Sequence, residues 1–199
     1  MCEELTVESV LFVYEFMAEE EERLEGANRE NHTEEDKQEM IKEILLLGNP
    51  ALYEISEAVR EEELTEMAAL ERDLHDTMME FRRIYKAGRA IAAPQIGVKK
   101  RVLYMNVGEP VLLINPVLEF PDGEMMEVMD DCMSFPGLLV KVDRYRRCRI
   151  HYKDRNWQDE EMELEGDLSE LLQHEYDHLD GILATMRAKD SRAFYRKMG

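Results

Sequence analysis

Residues 173–181 read Gln173-His174-Glu175-Tyr176-Asp177-His178-Leu179-Asp180-Gly181. They contain His-Glu-x-x-His. Helical residues four apart lie on one face, so His174 and His178 can grip a single metal ion, with Glu175 beside it as a general base. The surroundings predict a helix. Asp167 is placed to N-cap it, Glu170 completes a start of capping-box type, and Gly181 can end it. Leu168, Leu171, Leu172, Tyr176 and Leu179 fall at helical spacing. A merely solvated helix face would carry Lys and Glu there, not two of the chain's five histidines.

At 199 residues the chain has room for one domain with a sizeable core and an appendage. Its net charge is −20. A field of that sign repels nucleic acid and anionic membrane surfaces, so neither is expected as a direct partner. The three cysteines, Cys2, Cys132 and Cys148, are too few and too irregularly spaced for a disulfide framework. Residues 1–4 include two acids where a secretion signal would be basic. No apolar run is long enough to span a bilayer. The expected setting is a reducing cytoplasm.

Outward from the motif, the chain divides in character. Residues 1–39 hold 14 acidic and 3 basic residues, against 31 and 22 in the other 160. Leu5, Val10, Leu11, Tyr14, Phe16 and Met17 suggest an amphipathic helix, and Thr33 can cap a second. Two readings of this arm stand: a solvated helical extension packed along one stripe, or an element for homodimerisation or partner docking. From Glu61 to Ala87, Leu64, Met67, Ala68, Leu74, Met78, Phe81 and Tyr85 repeat at helical intervals, with Gly88 as the expected C-cap. Residues 88–97 read as a tight loop of small residues. Strand-like runs follow at Val102–Val107, Val111–Leu118, Met125–Met129, Leu138–Val142 and Arg147–Tyr152, separated by Pro/Gly turns. Residues 190–198 suggest a last short helix. The expected fold class is therefore α+β, with antiparallel β-sheets around the His-Glu-x-x-His helix and additional helices at the N-terminus.

A catalytic site of this kind needs a third protein ligand. Downstream of His178 there is neither His nor Glu. Upstream, the possibilities are His75, His151, Cys132 and Cys148. His75 reads as exposed among acids, while His151 and Cys148 share an alternating strand. Cys132 ends a strand run before the turn Phe135-Pro136-Gly137. These residues alone leave Cys132 between a ligand and a small buried hydrophobe.

Three ordered stretches resemble the motifs of peptide deformylases. The family's Gln-His-Glu-x-Asp-His-Leu is matched in full at 173–179. Its Glu-Gly-Cys-Leu-Ser is matched at Cys132 and Ser134, with Met133 for Leu. Its Gly-x-Gly-Leu-Ala-Ala-x-Gln is matched at Gly88, Ala92, Ala93 and Gln95, with Ile91 for Leu. Ile114-Asn115-Pro116 resembles a segment between the first two. The likeness covers roughly 40–190, which makes 1–39 an extension and 40–199 the catalytic domain.

The resemblance implies that Cys132, His174 and His178 bind one divalent metal, Fe(II) in the cell, with zinc, nickel or cobalt accepted. A thiolate with two imidazoles suits those metals rather than Mg or Ca. It implies hydrolysis of the formyl group of N-formylmethionyl peptides, with Glu175 as base and Gln95 and the Met133 N–H as oxyanion donors. Leu171 would line the methionine pocket, and Gly88, Arg89 and Ala90 would border the substrate. Transient proximity to the ribosome is compatible with that role. Three departures bear on substrate choice. Ala90 and Asp131 replace glycines, adding a methyl where substrate backbone would pair and a carboxylate at the cleft mouth, and Arg89 is placed to balance Asp131. Two competing readings are a related metal amidase acting on another acylated amine and a non-catalytic metal-binding or docking protein. The second has no need of Glu175 or Gln95.

Overall fold

The chain's strand-rich centre forms two antiparallel sheets, and each face of the larger one carries a helix. The computed structural model describes residues 41–197. The helices expected before Met40 lie outside them. Met40–Gly199 forms one compact unit.

The larger sheet has the order β1-β2-β3-β6-β7. Its strands are β1 (Ala90–Ala92), β2 (Val102–Val107), β3 (Glu109–Glu119), β6 (Arg147–Lys153) and β7 (Asp159–Glu165). Two α-helices, α1 (Leu64–Tyr85) and α2 (Asp167–Leu179), pack on it. Val102–Met105 of β2 reads as a continuous apolar run because both faces are covered there. Val102 and Tyr104 pack with Leu74 and Met78 of α1, while Leu103 and Met105 pack with Leu172 and Leu179 of α2. β1 alternates in the same way. Ile91 joins the α1 side, and the small Ala90 and Ala92 let α2 lie close on the other. The smaller sheet has the order β4-β5-β8: β4 (Met125–Asp131), β5 (Leu138–Tyr145) and β8 (Phe194–Arg196).

The α+β class is as expected, and Val102–Val107 matches β2 residue for residue. Several local expectations change. The expected final helix is β8, because the open edge of β5 supplies main-chain partners: Phe194 pairs with Val140 and Tyr195 with Leu139. β7, Asp-Glu-Glu-Met-Glu-Leu-Glu, has only Met162 and Leu164 alternating with its acids, and both pack on the α2-side core. Pairing with β6 and cross-strand ion pairs such as Lys153–Asp159 at 2.7 Å complete it. The loop read at 88–97 contains β1 and a turn of 3₁₀ helix at Ala93–Ile96. Lys86, not Gly88, takes the left-handed cap of α1 at φ 54°. His75 is half-buried, with Nδ1 2.7 Å from the Tyr104 hydroxyl.

The end of α2 is tied to the segment before α1. Ser56 N–H donates to Leu179 O at 2.8 Å. Gly181 has φ 69°, and a Cβ there would lie 2.5 Å from Tyr53 O. Gly181→Ala therefore combines left-handed strain with a backbone clash. The expected cost is about 3 kcal/mol, or a Tm lower by about 6–12 °C by calorimetry. An unchanged Tm would contradict this packing. Among the described residues, no helix is long and apolar enough to cross a membrane.

Candidate metal centre

α2 delivers its two histidines inward because its opposite, leucine-bearing face is buried on the larger sheet. Gly166, at φ 64°, is the N-cap, and no side chain caps the helix. The capping box expected from Asp167 and Glu170 is not formed, since Asp167 is the first helical residue and turns its carboxylate to Arg89. Gln173 locks the helix to the end of β5. Its Oε1 accepts from Tyr145 N–H at 2.9 Å, and its Nε2 donates to Tyr145 O at 2.8 Å. Cys132 follows β4 directly and meets the histidines from the smaller sheet.

The donors converge. His174 Nε2 and His178 Nε2 lie 3.2 Å apart, and Cys132 Sγ is 3.2 Å from His178 Nε2. All three donor atoms fall within 4.8 Å of one another, and all three residues are buried. Ligands about 2.1 Å from one tetrahedral ion would sit about 3.4 Å apart, so this set fits a metal closely. Of the other possibilities, Cys148 is buried in the sheet–α2 core, His151 lies near Glu119 and Glu161, and His75 faces Tyr104.

A buried ionic chain backs the cluster. His174 Nδ1 sits 2.6 Å from Asp130 Oδ1, which turns Nε2 toward the other donors. Asp130 Oδ2 accepts from Arg144 Nη2 at 2.7 Å, and Arg144 also pairs with Asp177, which meets Arg187. Asp130, Arg144 and Asp177 are all buried. Burial alone would raise the Asp130 carboxyl, but His174 and Arg144 override it and hold it at about 2. Burial likewise opposes charge on His174, yet Asp130 and Cys132 draw its pKa well up. His178 is pushed down by burial and by His174. Asp130 and Cys132 thus favour positive charge at His174, while burial keeps His178 neutral, the form in which an imidazole ligates a metal.

Glu175 and Gln95 stand beside it. Glu175 is buried, and its Oε2 has no hydrogen-bond partner among the described residues. Burial pushes its carboxyl up to about 7. Gln95 Oε1 accepts from Ala92 N–H at 2.9 Å, which aims Nε2 at Cys132 Sγ, 3.4 Å away, and Ser134 Oγ, 3.2 Å away. Gly88 has φ 116°, and a Cβ there would lie 3.6 Å from the Met133 sulfur, so the first and second motif stretches touch.

The departures resolve differently from expectation. Ala90 pairs with Met105 and its methyl is buried in the α2-side core, so it is absorbed by packing. Asp131 pairs with Lys197 at 2.8 Å, not with Arg89. Arg89 instead reaches Asp167 at 2.8 Å and Glu170 at 3.8 Å. Leu171 is half-buried on α2, three residues before His174. The sequence reading missed the Asp130–Arg144–Asp177 chain. A signal existed, because Arg144 lies in phase with the inward-facing Val140 and Val142 of β5.

Comparison with known proteins agrees with this picture. The family model described as Polypeptide deformylase matches residues 41–194. Peptide deformylase 1 of Prochlorococcus marinus is 39% identical over 168 residues, covering 77% of this chain and 84% of the relative. The peptide deformylase of Desulfitobacterium hafniense is 40% identical over 151 residues, covering 75% and 95%. The crystal structure of the Thermotoga maritima enzyme superposes with a TM-score of 0.68 at 32% identity, over 75% of this chain and 99% of that one. An Acinetobacter baumannii peptide deformylase crystallised with Met-Ala-Ser gives 0.67 at 28% identity, over 74% and 98%.

Proposed function

This chain belongs to the peptide deformylase family, and from that premise we propose how its residues divide the work. The protein is an enzyme that removes the N-formyl group from nascent peptides. Hydrolysis adds water across the formamide C–N bond, giving formate and a free amine.

Cys132, His174 and His178 would hold one divalent ion, with Fe(II) the proposed occupant in the cell and zinc, nickel or cobalt able to substitute. When bound, such an ion supplies Lewis-acid activation. Glu175 takes the proton that water loses and passes it to the departing amine, a transfer favoured by a carboxyl poised near neutrality. Gln95 Nε2 and the Met133 N–H donate to the oxygen on which negative charge develops. β1 is an edge strand of its sheet, so an extended peptide can add its backbone there, bordered by Gly88, Arg89 and Ala90. Leu171 supports the pocket for the methionine side chain. Residues 40–199 are the proposed catalytic domain and 1–39 an appended extension. Cytoplasmic location, transient ribosome proximity and dimerisation through the extension rest on sequence and family alone.

One observation carries the assignment of roles: three metal donors converge beside a buried carboxylate with an oxygen unpartnered among the described residues. The test is formate release from formyl-Met-Ala-Ser by protein loaded anaerobically with Fe(II). Turnover should fall to background on chelation and return with the metal. Absence of turnover with stoichiometric metal bound would overturn the proposal and favour another acylated amine as substrate.

A further inference from the structure

The hydrolysis described above makes no use of the charges of two side chains near the centre, Glu170 and Arg89. Glu170 lies four residues before His174, in the row that continues to His178. Its side chain is only 16% exposed, and Arg89, 3.8 Å away, is the one cation it meets within 4 Å among the described residues. Arg89 directly precedes β1 and is itself held by Asp167. Leu171, the next residue of α2, is apolar and half-buried.

Distance connects these groups to a substrate. A helix rises about 5.4 Å per turn, which sets Glu170 about that far along the row from His174. In a formylated residue, Cγ is four bonds from the formyl carbon, a reach of about 5 Å. With the formyl group at the donor cluster and the backbone along β1, the outer atoms of that side chain come level with Glu170 and Arg89. A purely apolar end would strip water from this pair and return nothing. A primary amide matches both members, since its carbonyl accepts from the Arg89 guanidinium and its NH₂ donates to the Glu170 carboxylate.

We propose that Arg89 and Glu170 form a polar wall of the side-chain pocket, extending the enzyme's range to N-formyl peptides whose first side chain has methionine's length but ends in an amide. The proposal rests on the deformylase reading above and adds a specificity-determining pair to it. Sites built to hydrogen-bond a substrate reject analogues lacking the partner far more strongly than apolar pockets reject small changes.

The test compares kcat/KM for formyl-Met-Ala-Ser, formyl-Gln-Ala-Ser and the norleucine peptide, an apolar side chain of the same length, in the wild-type Fe(II) enzyme. Glu170→Gln and the double variant Arg89→Leu/Glu170→Leu follow. The glutamine peptide should match or exceed the norleucine peptide in the wild type, and their ratio should fall about tenfold or more in the double variant. Calorimetric affinities for the products Gln-Ala-Ser and Nle-Ala-Ser should move in parallel, independently of turnover. A ratio within about twofold of wild type in both variants, or a wild type that hydrolyses formyl-Met but not formyl-Gln, would overturn the polar wall and leave deformylation standing. Hydrolysis of no formyl peptide would overturn the deformylase reading and the wall with it.

Discussion

Glu175→Gln should lower formate release from formyl-Met-Ala-Ser by about 10²–10⁴-fold while the protein keeps its fold and its metal. Each decade is about 1.36 kcal/mol of barrier, so the loss is about 3–5 kcal/mol. The substitution preserves shape and removes the group that accepts the proton. It leaves Cys132, His174 and His178 untouched, so metal content by elemental analysis should stay at one per chain. Stability should move the other way. Glu175 is buried with an oxygen unpartnered among the described residues, and burial is what pushes its carboxyl up to about 7. A neutral amide relieves part of that cost, so the variant should unfold at the same or a slightly higher temperature. A purely structural Glu175 would give the opposite pattern, with lower Tm and turnover largely kept. A variant retaining more than about a tenth of the wild-type rate would exclude Glu175 as the principal base.

Much of this centre could be read before any coordinates, for a local reason. The positions of His174, Glu175 and His178 follow from helical periodicity alone, and α2 presents them as that spacing requires. Likewise Val102–Met105 of β2 is an uninterrupted apolar run, and burial on both faces leaves it no other pattern. The misreadings occur where the deciding partner is remote in sequence. β8 exists because β5 has an open edge more than 50 residues earlier, which no local pattern in Phe194-Tyr195-Arg196 reveals. β7 is a strand because β6 lies beside it with opposite charges. Nothing local marks Asp130, because its function depends on a histidine 44 positions away. Arg89 faced the same difficulty. The family resemblance points to Asp131 as its counter-charge, but the fold gives Asp131 to Lys197 and Arg89 to the first turn of α2.

The ionic chain behind His174 should prove the costliest place to alter outside the donors themselves. Arg144 is 3% exposed and lies between Asp130 and Asp177. Arg144→Met keeps much of its volume but leaves two buried carboxylates without their shared cation. Removing one partner of a buried pair typically costs about 3–5 kcal/mol, a large part of a domain's total stability. Urea unfolding at pH 7 should show this loss. The sign of its pH dependence follows from Asp130, whose carboxyl is depressed in the native protein from 3.8 to about 2. Such a group contributes stability above its unfolded pKa, and that contribution is lost as pH falls through the folded value. Without Arg144 that depression should weaken, leaving His174 as the counter-charge of Asp130. The gap between wild type and variant should therefore hold from pH 7 to about pH 4.5 and narrow only as pH falls below the unfolded value of 3.8 toward the folded one. A gap unchanged down to about pH 2.5 would mean that Arg144 acts by packing and not by charge. Activity should fall as well, because Asp130 fixes the ring of His174. That loss should persist in protein shown by circular dichroism to be folded, which separates positioning of the ligand from stability of the fold.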